Sequence, residues 1–297
     1  MKEKEFIKLV QNTVKAEYIG DDCAYLKDLG IVITQDNLVE DVHFSMKFTD
    51  ARKLGYKSAM VNISDIAASG AEPAYLSVGL SLPKNTDENF IKDFYQGITD
   101  AAQGVKITGG DITGSDKIFI SITAIGKTGG RKISSRKNAE PGYKIIVSGN
   151  HGSSAAGLKE LYLGKKDKFT KIHLMPEAKI EFSKKIAANI KTDYAMTDTS
   201  DGLIDALMQI ANASGVLMSV NFDKIPYDKD IEKFKDFKDL ILYGGEDYEL
   251  LACVPDDFYV EGAFEIGKVK SGSGVEIDGK ILKESDTKFF NHFEEKK

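Results

Sequence analysis

Residues 51–73 read ARKLGYKSAMVNISDIAASGAEP, and the rest of the chain is organised around them. Leu54, Ser58, Val61, Asp65 and Ala68 recur at helical spacing, with Gly55, Ala59, Ile63, Ile66 and Gly70 on the adjoining stripe. Most of the helix circumference is therefore small or apolar, which predicts a buried helix. Gly70 offers a C-terminal cap, and Pro73 disfavours helical geometry at Glu72, so the helix stops close behind Asp65. A buried carboxylate needs a partner, and no Lys or Arg follows Lys57 on that stripe. A metal ion is the natural candidate. The competing reading makes Asp65 the cap of a second, shorter helix beginning at Ile66, or a turn residue bonding backbone amides.

Outward from this helix, IVITQD at 31–36 is an apolar, β-branched run that predicts an interior strand ending on Asp36. Residues 3–12 predict an amphipathic helix, 74–83 a strand, 87–104 a helix capped by Asp87, and 106–126 two strands around a glycine-rich corner. Glycine, serine and basic residues replace apolar periodicity over 127–142, which predicts a domain boundary. The second half repeats the α/β style, with strands at YKIIVSG, DYAMTD, LMSVNFD, EDYELLACVP and FEIGKVK. Helices are expected at SSAAGLKELYLG, at MPEAKIEFSKKIAANI starting on Pro176, and at SDGLIDALMQIANASG. Two α/β or α+β domains follow, and the chain's 297 residues accommodate them.

Composition narrows the chemistry. A net charge of -6 argues against a nucleic-acid surface, and a polyphosphate ligand would need cations to bind. Cys23 and Cys253 lie far apart without zinc spacing, which suggests neither a zinc site nor a disulfide framework and fits a reduced cytoplasm. No apolar run approaches the ~18 residues of a membrane span, and none resembles a signal segment, so a soluble, unexported protein is expected.

Glycine and aspartate occur together in GDDCA at 20–24, GGD at 109–111, DTSDGL at 198–203 and GGED at 244–247. Glycines let backbone amides approach phosphate oxygens, and carboxylates suit magnesium shared with phosphates. Each segment alone reads most simply as a turn. Their recurrence, with Asp36 and Asp65, describes a metal-phosphate site. Walker, protein-kinase, dinucleotide and HExxH motifs are all absent. His151 and His173 read as core or surface residues, whereas His43, soon after Asp36, is placed to face the same cleft.

Taken together, GDDCA, TQDNLVEDVHF, VNISDIAASGAEP, GGDIT, GSSAAGL, DTSDGL and YGGEDYEL resemble, in order and over nearly the whole chain, the thiamine-monophosphate kinase family. That family shares a superfamily with aminoimidazole ribonucleotide synthetase and selenophosphate synthetase. The resemblance implies a two-domain α/β (α+β) fold of the aminoimidazole ribonucleotide synthetase type. An ATP- and metal-binding, dimerising domain would span 1–137 and an α/β domain 138–297, with N-terminal sheets pairing across a homodimer. It implies that Asp22, Asp36, Asp65, Asp111, Asp198 and Asp201 hold several magnesium ions, with Thr34 and Gln35 as further metal contacts. Asp65, Asp201 and Asp36 would be central to catalysis. Gly110, Asp111, Arg136 and Ser200 would contact ATP, and His43 and Glu246 the substrate, thiamine monophosphate. Neither nucleic acid nor membrane is an implied partner.

The chain departs from the family pattern at Gln35, Asp41 and Ile112, and it has no Trp, so Phe290 is the proposed aromatic substitute against the substrate. The implied reaction is direct phosphoryl transfer to an already ionised phosphate, for which positioning and charge neutralisation suffice. A metal-dependent phosphatase, a non-enzymatic metal binder and an aminoimidazole ribonucleotide synthetase are the alternatives. At Gln35, strand alternation favours a metal contact through the backbone carbonyl rather than the side chain.

Overall fold

The computed structural model describes residues 3–282. In chain order the elements are α1 (Glu3–Val14), β1 (Ala24–Leu26), β2 (Ile31–Val39), α2 (Ala51–Ala68), β3 (Glu72–Leu82), α3 (Glu88–Ala101), β4 (Lys106–Gly114) and β5 (Phe119–Lys127). There follow β6 (Lys144–Val147), α4 (Ser153–Tyr162), α5 (Lys168–Leu174), α6 (Ile180–Ala187), β7 (Ala195–Asp198), α7 (Leu203–Ser214) and β8 (Leu217–Val220). The last are α8 (Phe237–Tyr243), β9 (Leu250–Val254), β10 (Phe264–Lys270), β11 (Gly274–Ile277) and β12 (Lys280–Ile281).

Two mixed sheets result. The first runs β1-β2-β5-β3-β4, antiparallel except for the β3/β4 pair, which α3 joins as a crossover. The second runs β12-β11-β8-β10-β6-β9-β7 and is antiparallel except between β8 and β11. The two halves expected from the sequence are thus two sheets, each with its own helices, in an α/β arrangement.

The apolar circumference of α2 has a positional cause. One side packs on β2, β5 and β3, and the other meets α6 and β7 of the second sheet. Ala67 and Ala68 belong to the same buried cluster as Ile186, Tyr194 and Met196. Polar contacts seal this junction: Ser183 donates to the Ala67 carbonyl at 2.5 Å and Ser134 to the Ala68 carbonyl at 2.7 Å. Close approach to α3 depends on glycine. A Cβ at Gly55 would lie 1.9 Å from the Phe94 carbonyl oxygen, and one at Gly97 1.9 Å from that of Arg52.

Asp50 caps the start of α2 by accepting from the Lys53 N–H at 2.9 Å, and Asp87 caps α3 through Phe90 at 2.9 Å. Because α2 runs unbroken to Ala68, Asp65 lies inside it and caps no second helix. Two local expectations need correction. β2 continues to Val39, so Asp36 sits within the strand rather than at its end, because pairing with β5 extends through Val39↔Phe119. Pro176 starts no helix; α5 precedes it and α6 begins at Ile180, consistent with the bias of a proline against helix in the residue before it.

Candidate active site

Alternation along β2 turns Thr34 and Asp36 toward α2 and Gln35 away from it. The Thr34 hydroxyl donates to Asp65 Oδ2 at 2.6 Å, and the Asp36 N–H donates to Asn62 Oδ1 at 3.0 Å. Gln35 is exposed on the other face, where its Oε1 accepts from Thr123 Oγ1 at 2.9 Å across the strand pair. Asp22 arrives on the loop before β1, and Asp198 ends β7 from the second sheet. Carboxylate oxygens of Asp22, Asp65 and Asp198 all lie within 4.8 Å of one another.

Each of these carboxylates is oriented. Asp22 Oδ1 accepts from Arg136 Nη2 at 2.8 Å and from Thr197 Oγ1 at 2.9 Å. Asp198 accepts from Ser64 Oγ at 2.5 Å and from the Ser200 N–H at 3.2 Å. Burial raises the pKa of Asp65 well above the usual carboxylate range, and the charges of Asp36, Asp198 and Asp22 add to the rise against the Thr34 hydrogen bond. Burial, followed by repulsion from Asp198 and Asp22, pushes Asp36 up to about 6. Asp198 is likewise pushed to about 6 by burial and then Asp22, despite its two donors.

An all-oxygen donor set of this compactness fits magnesium, and the mutual repulsion is what a bound cation would relieve. Arg136 pairs directly with Asp22, and its charge also acts on Asp198. Its own backbone N–H and the Ser135 hydroxyl bond Asp21, each at 2.7 Å, which ties the segment after β5 to the loop carrying Asp22.

This cluster adjoins a cleft of about 970 Å³ lined by residues of both halves, to whose wall Asp36 and Asp65 contribute. His43, Lys57 and Phe48 line it from the first half; His173, Ser200, Asp201, Glu246 and Tyr162 line it from the second. His43 Nδ1 accepts from the Val39 N–H at 3.0 Å. Phe48 and Tyr162 meet edge to face, with centroids 5.2 Å apart. Glu246 forms an ion pair with Lys57 Nζ at 2.9 Å, and its other oxygen lies 3.3 Å from His173 Nδ1, which also meets Ser154 Oγ at 2.9 Å. Burial would raise the pKa of Glu246, but Lys57 and then His173 outweigh that effect and hold it below the ordinary value.

The structure brings together Asp22, Thr34, Asp36, Asp65, Asp198 and Arg136, with Ser200, Asp201, His43 and Glu246 around the cleft. Gly110 and Asp111 are not brought there within one chain. They sit on the exposed edge strand β4, where Asp111 pairs with Gly79, and β3 and β5 intervene before β2. Gly110 has a packing reason of its own, since a Cβ there would lie 1.8 Å from the Val78 carbonyl oxygen. Phe290 lies outside the described residues. Sequence reasoning missed Ser64, Thr197, Lys57 and His173 as parts of the site. Lys57 had a signal, its place eight residues before Asp65 on one stripe; His173 had none, because α5 was not expected.

The AIR synthase related protein, N-terminal domain, and AIR synthase related protein, C-terminal domain, family models match residues 20–128 and 140–280. Fold and site thus define a two-domain protein of the AIR synthase-related class. Thiamine-monophosphate kinase of Aquifex aeolicus is 33% identical over 302 residues, covering 96% of this chain and 96% of its own. That of Bacillus subtilis is 34% identical over 254 residues, covering 80% of this chain and 78% of its own. A solved structure described as AaThiL complexed with AMPPCP and TMP superposes with a TM-score of 0.91 at 32% identity, covering 98% of this chain and 97% of that one. The chain belongs to the thiamine-monophosphate kinase family.

Proposed function

We propose that the protein transfers the terminal phosphoryl group of ATP to the phosphate of thiamine monophosphate, yielding thiamine diphosphate and ADP. The carrying observation is the compact Asp22, Asp65 and Asp198 cluster beside a cleft lined by both halves, in a chain whose relative was solved with AMPPCP and TMP. An oxygen of the acceptor phosphate attacks the γ-phosphorus as the bond to the β,γ-bridging oxygen breaks. That oxygen is already ionised at neutral pH, so no side chain need remove a proton.

Asp22, Asp65 and Asp198, with Asp36 beside them, would hold magnesium, as would Asp201 and the Thr34 and Gln35 segment. Bound magnesium would shield the two anionic phosphates from each other and stabilise charge in the transition state. Ser200 and Arg136 are assigned to the nucleotide, with Arg136 also orienting Asp22. His43 and Glu246 are assigned to the acceptor. Gly110 and Asp111 are assigned to nucleotide and metal in a homodimer formed by the first sheet. The exposure of all nine β4 residues supports that assembly. The domain boundary is placed at 137/138, between β5 and β6, and the enzyme in the cytoplasm. Among the described residues no helix is long and apolar enough to cross a membrane.

The test is incubation with ATP, magnesium and a panel of acceptors, with products identified by mass. Thiamine diphosphate is expected. Turnover of a sister substrate without it, or release of inorganic phosphate without need of ATP, would overturn the reading. So would trapping a phosphoenzyme before acceptor is added, as regards direct transfer.

A further inference from the structure

Lys57 is a lysine almost fully withdrawn from water, with a side chain only 5% exposed. Among the described residues its ammonium has one carboxylate at bonding distance, Glu246 Oε1 at 2.9 Å. Glu246 in turn is held by its backbone. Its φ is +65°, a conformation uncommon outside glycine, and its N–H donates to the Ser200 carbonyl at 2.6 Å. The next residue, Asp247, accepts from the N–H groups of Gly152 and Ser154 at 2.5 and 2.8 Å, pinning the turn to the start of α4. The Glu246 side chain is left 28% exposed, and it lines the cleft.

Lys57, Val61 and Asp65 stand on one face of α2 and all line that cleft. Lys57 and Asp65 are eight residues apart, two turns or about 12 Å along the axis. One helix therefore carries two poles: the carboxylate cluster that suits a metal-bound phosphate, and an ion pair at the other end. An extended acceptor of about that length, with its phosphate at Asp65, would reach Glu246 with its opposite end.

We propose that Lys57 is a specificity-determining residue acting through Glu246, which it keeps as an acceptor-only carboxylate that selects an acceptor phosphate ester bearing an N–H donor at its far end. For the substrate proposed above, on which this inference rests, that donor is the exocyclic amine of the aminopyrimidine ring. An ionised carboxylate accepts and cannot donate; Lys57 engages Oε1, Oε2 lies 3.3 Å from His173 Nδ1, and the part-exposed side chain lines the cleft. His173 is a neutral partner near pH 7, since burial and then the Lys57 charge push its pKa down to about 4. Lys57 therefore supplies the charge. Without it, Glu246 takes up a proton or admits water and reads donors and acceptors alike.

The experiment measures, by calorimetry without ATP, the dissociation constants of thiamine monophosphate and of the analogue with hydrogen in place of the pyrimidine amine. The wild-type protein is expected to prefer the amine by on the order of 100-fold or more, as a site built around a substrate N–H does. Glu246→Gln and Lys57→Met should each reduce the preference roughly tenfold or more, with the double variant no lower than either single one, because both remove the same interaction. Lys57→Arg should retain most of it. ATP affinity should stay unchanged throughout. A wild-type protein without preference overturns the inference, as does either single variant that weakens both ligands equally. Should Lys57→Met not fold, Glu246→Gln and Lys57→Arg decide on the same ratio. Turnover is scored separately: a preserved binding preference without phosphoryl transfer overturns the kinase reading and leaves the Lys57 assignment standing.

Discussion

The Thr34 hydroxyl donates to the Asp65 carboxylate at 2.6 Å, joining β2 to the helix packed against it. Asp65 therefore faces the strand that carries Asp36, and its last-turn position in α2 sets it opposite Asp198 from the second sheet. The cluster is assembled from both halves of the molecule.

Asp65→Asn should abolish turnover while leaving the metal-free protein as stable as the parent or more so. The amide oxygen can still accept from Thr34, and one of several mutually repelling charges is gone. Activity at the parent's level, measured with saturating ATP and magnesium, would sink the metal assignment.

The metal-free protein should lose stability as pH rises from about 4 to about 6. Asp36 and Asp198 have folded pKa values near 6 against an ordinary 3.8. Over that window the unfolded chain releases protons that the folded chain retains, so stability present below pH 4 is lost by pH 6. Asp36→Asn should match the parent near pH 4 and exceed it above pH 6. Denaturant melts across this range, with magnesium chelated, read the difference directly; a constant gap between the two proteins would contradict it.

Gln35→Thr should leave the magnesium concentration for half-maximal rate unchanged. The Gln35 side chain is committed to Thr123 on the face away from α2, so only its backbone can serve the metal side. A shift to lower magnesium in the Thr variant would show a side-chain role.

Gly55→Ala should destabilise the protein by about 3 kcal/mol or more, since its Cβ would press on backbone that cannot swing aside. Gly114→Ala, where a Cβ meets nothing within 4 Å, is the control and should be close to neutral. Equal denaturation midpoints for the two would refute the packing account.

Local periodicity alone established much of this protein. Small and apolar residues around most of α2 announced a buried helix, and an aspartate within it announced a need for a partner. Alternation in β2 set Thr34 and Asp36 on one face and Gln35 on the other. Such patterns are legible because side-chain direction repeats with the backbone, whatever the neighbours are. Tertiary structure decided who the neighbours are. It paired Lys57 with Glu246, brought Arg136 onto Asp22, and left Asp111 on an exposed edge although its motif looked like the others. Those outcomes depend on which distant segments pack against α2, and two sheets meeting on opposite sides of one helix is a property of the folded chain.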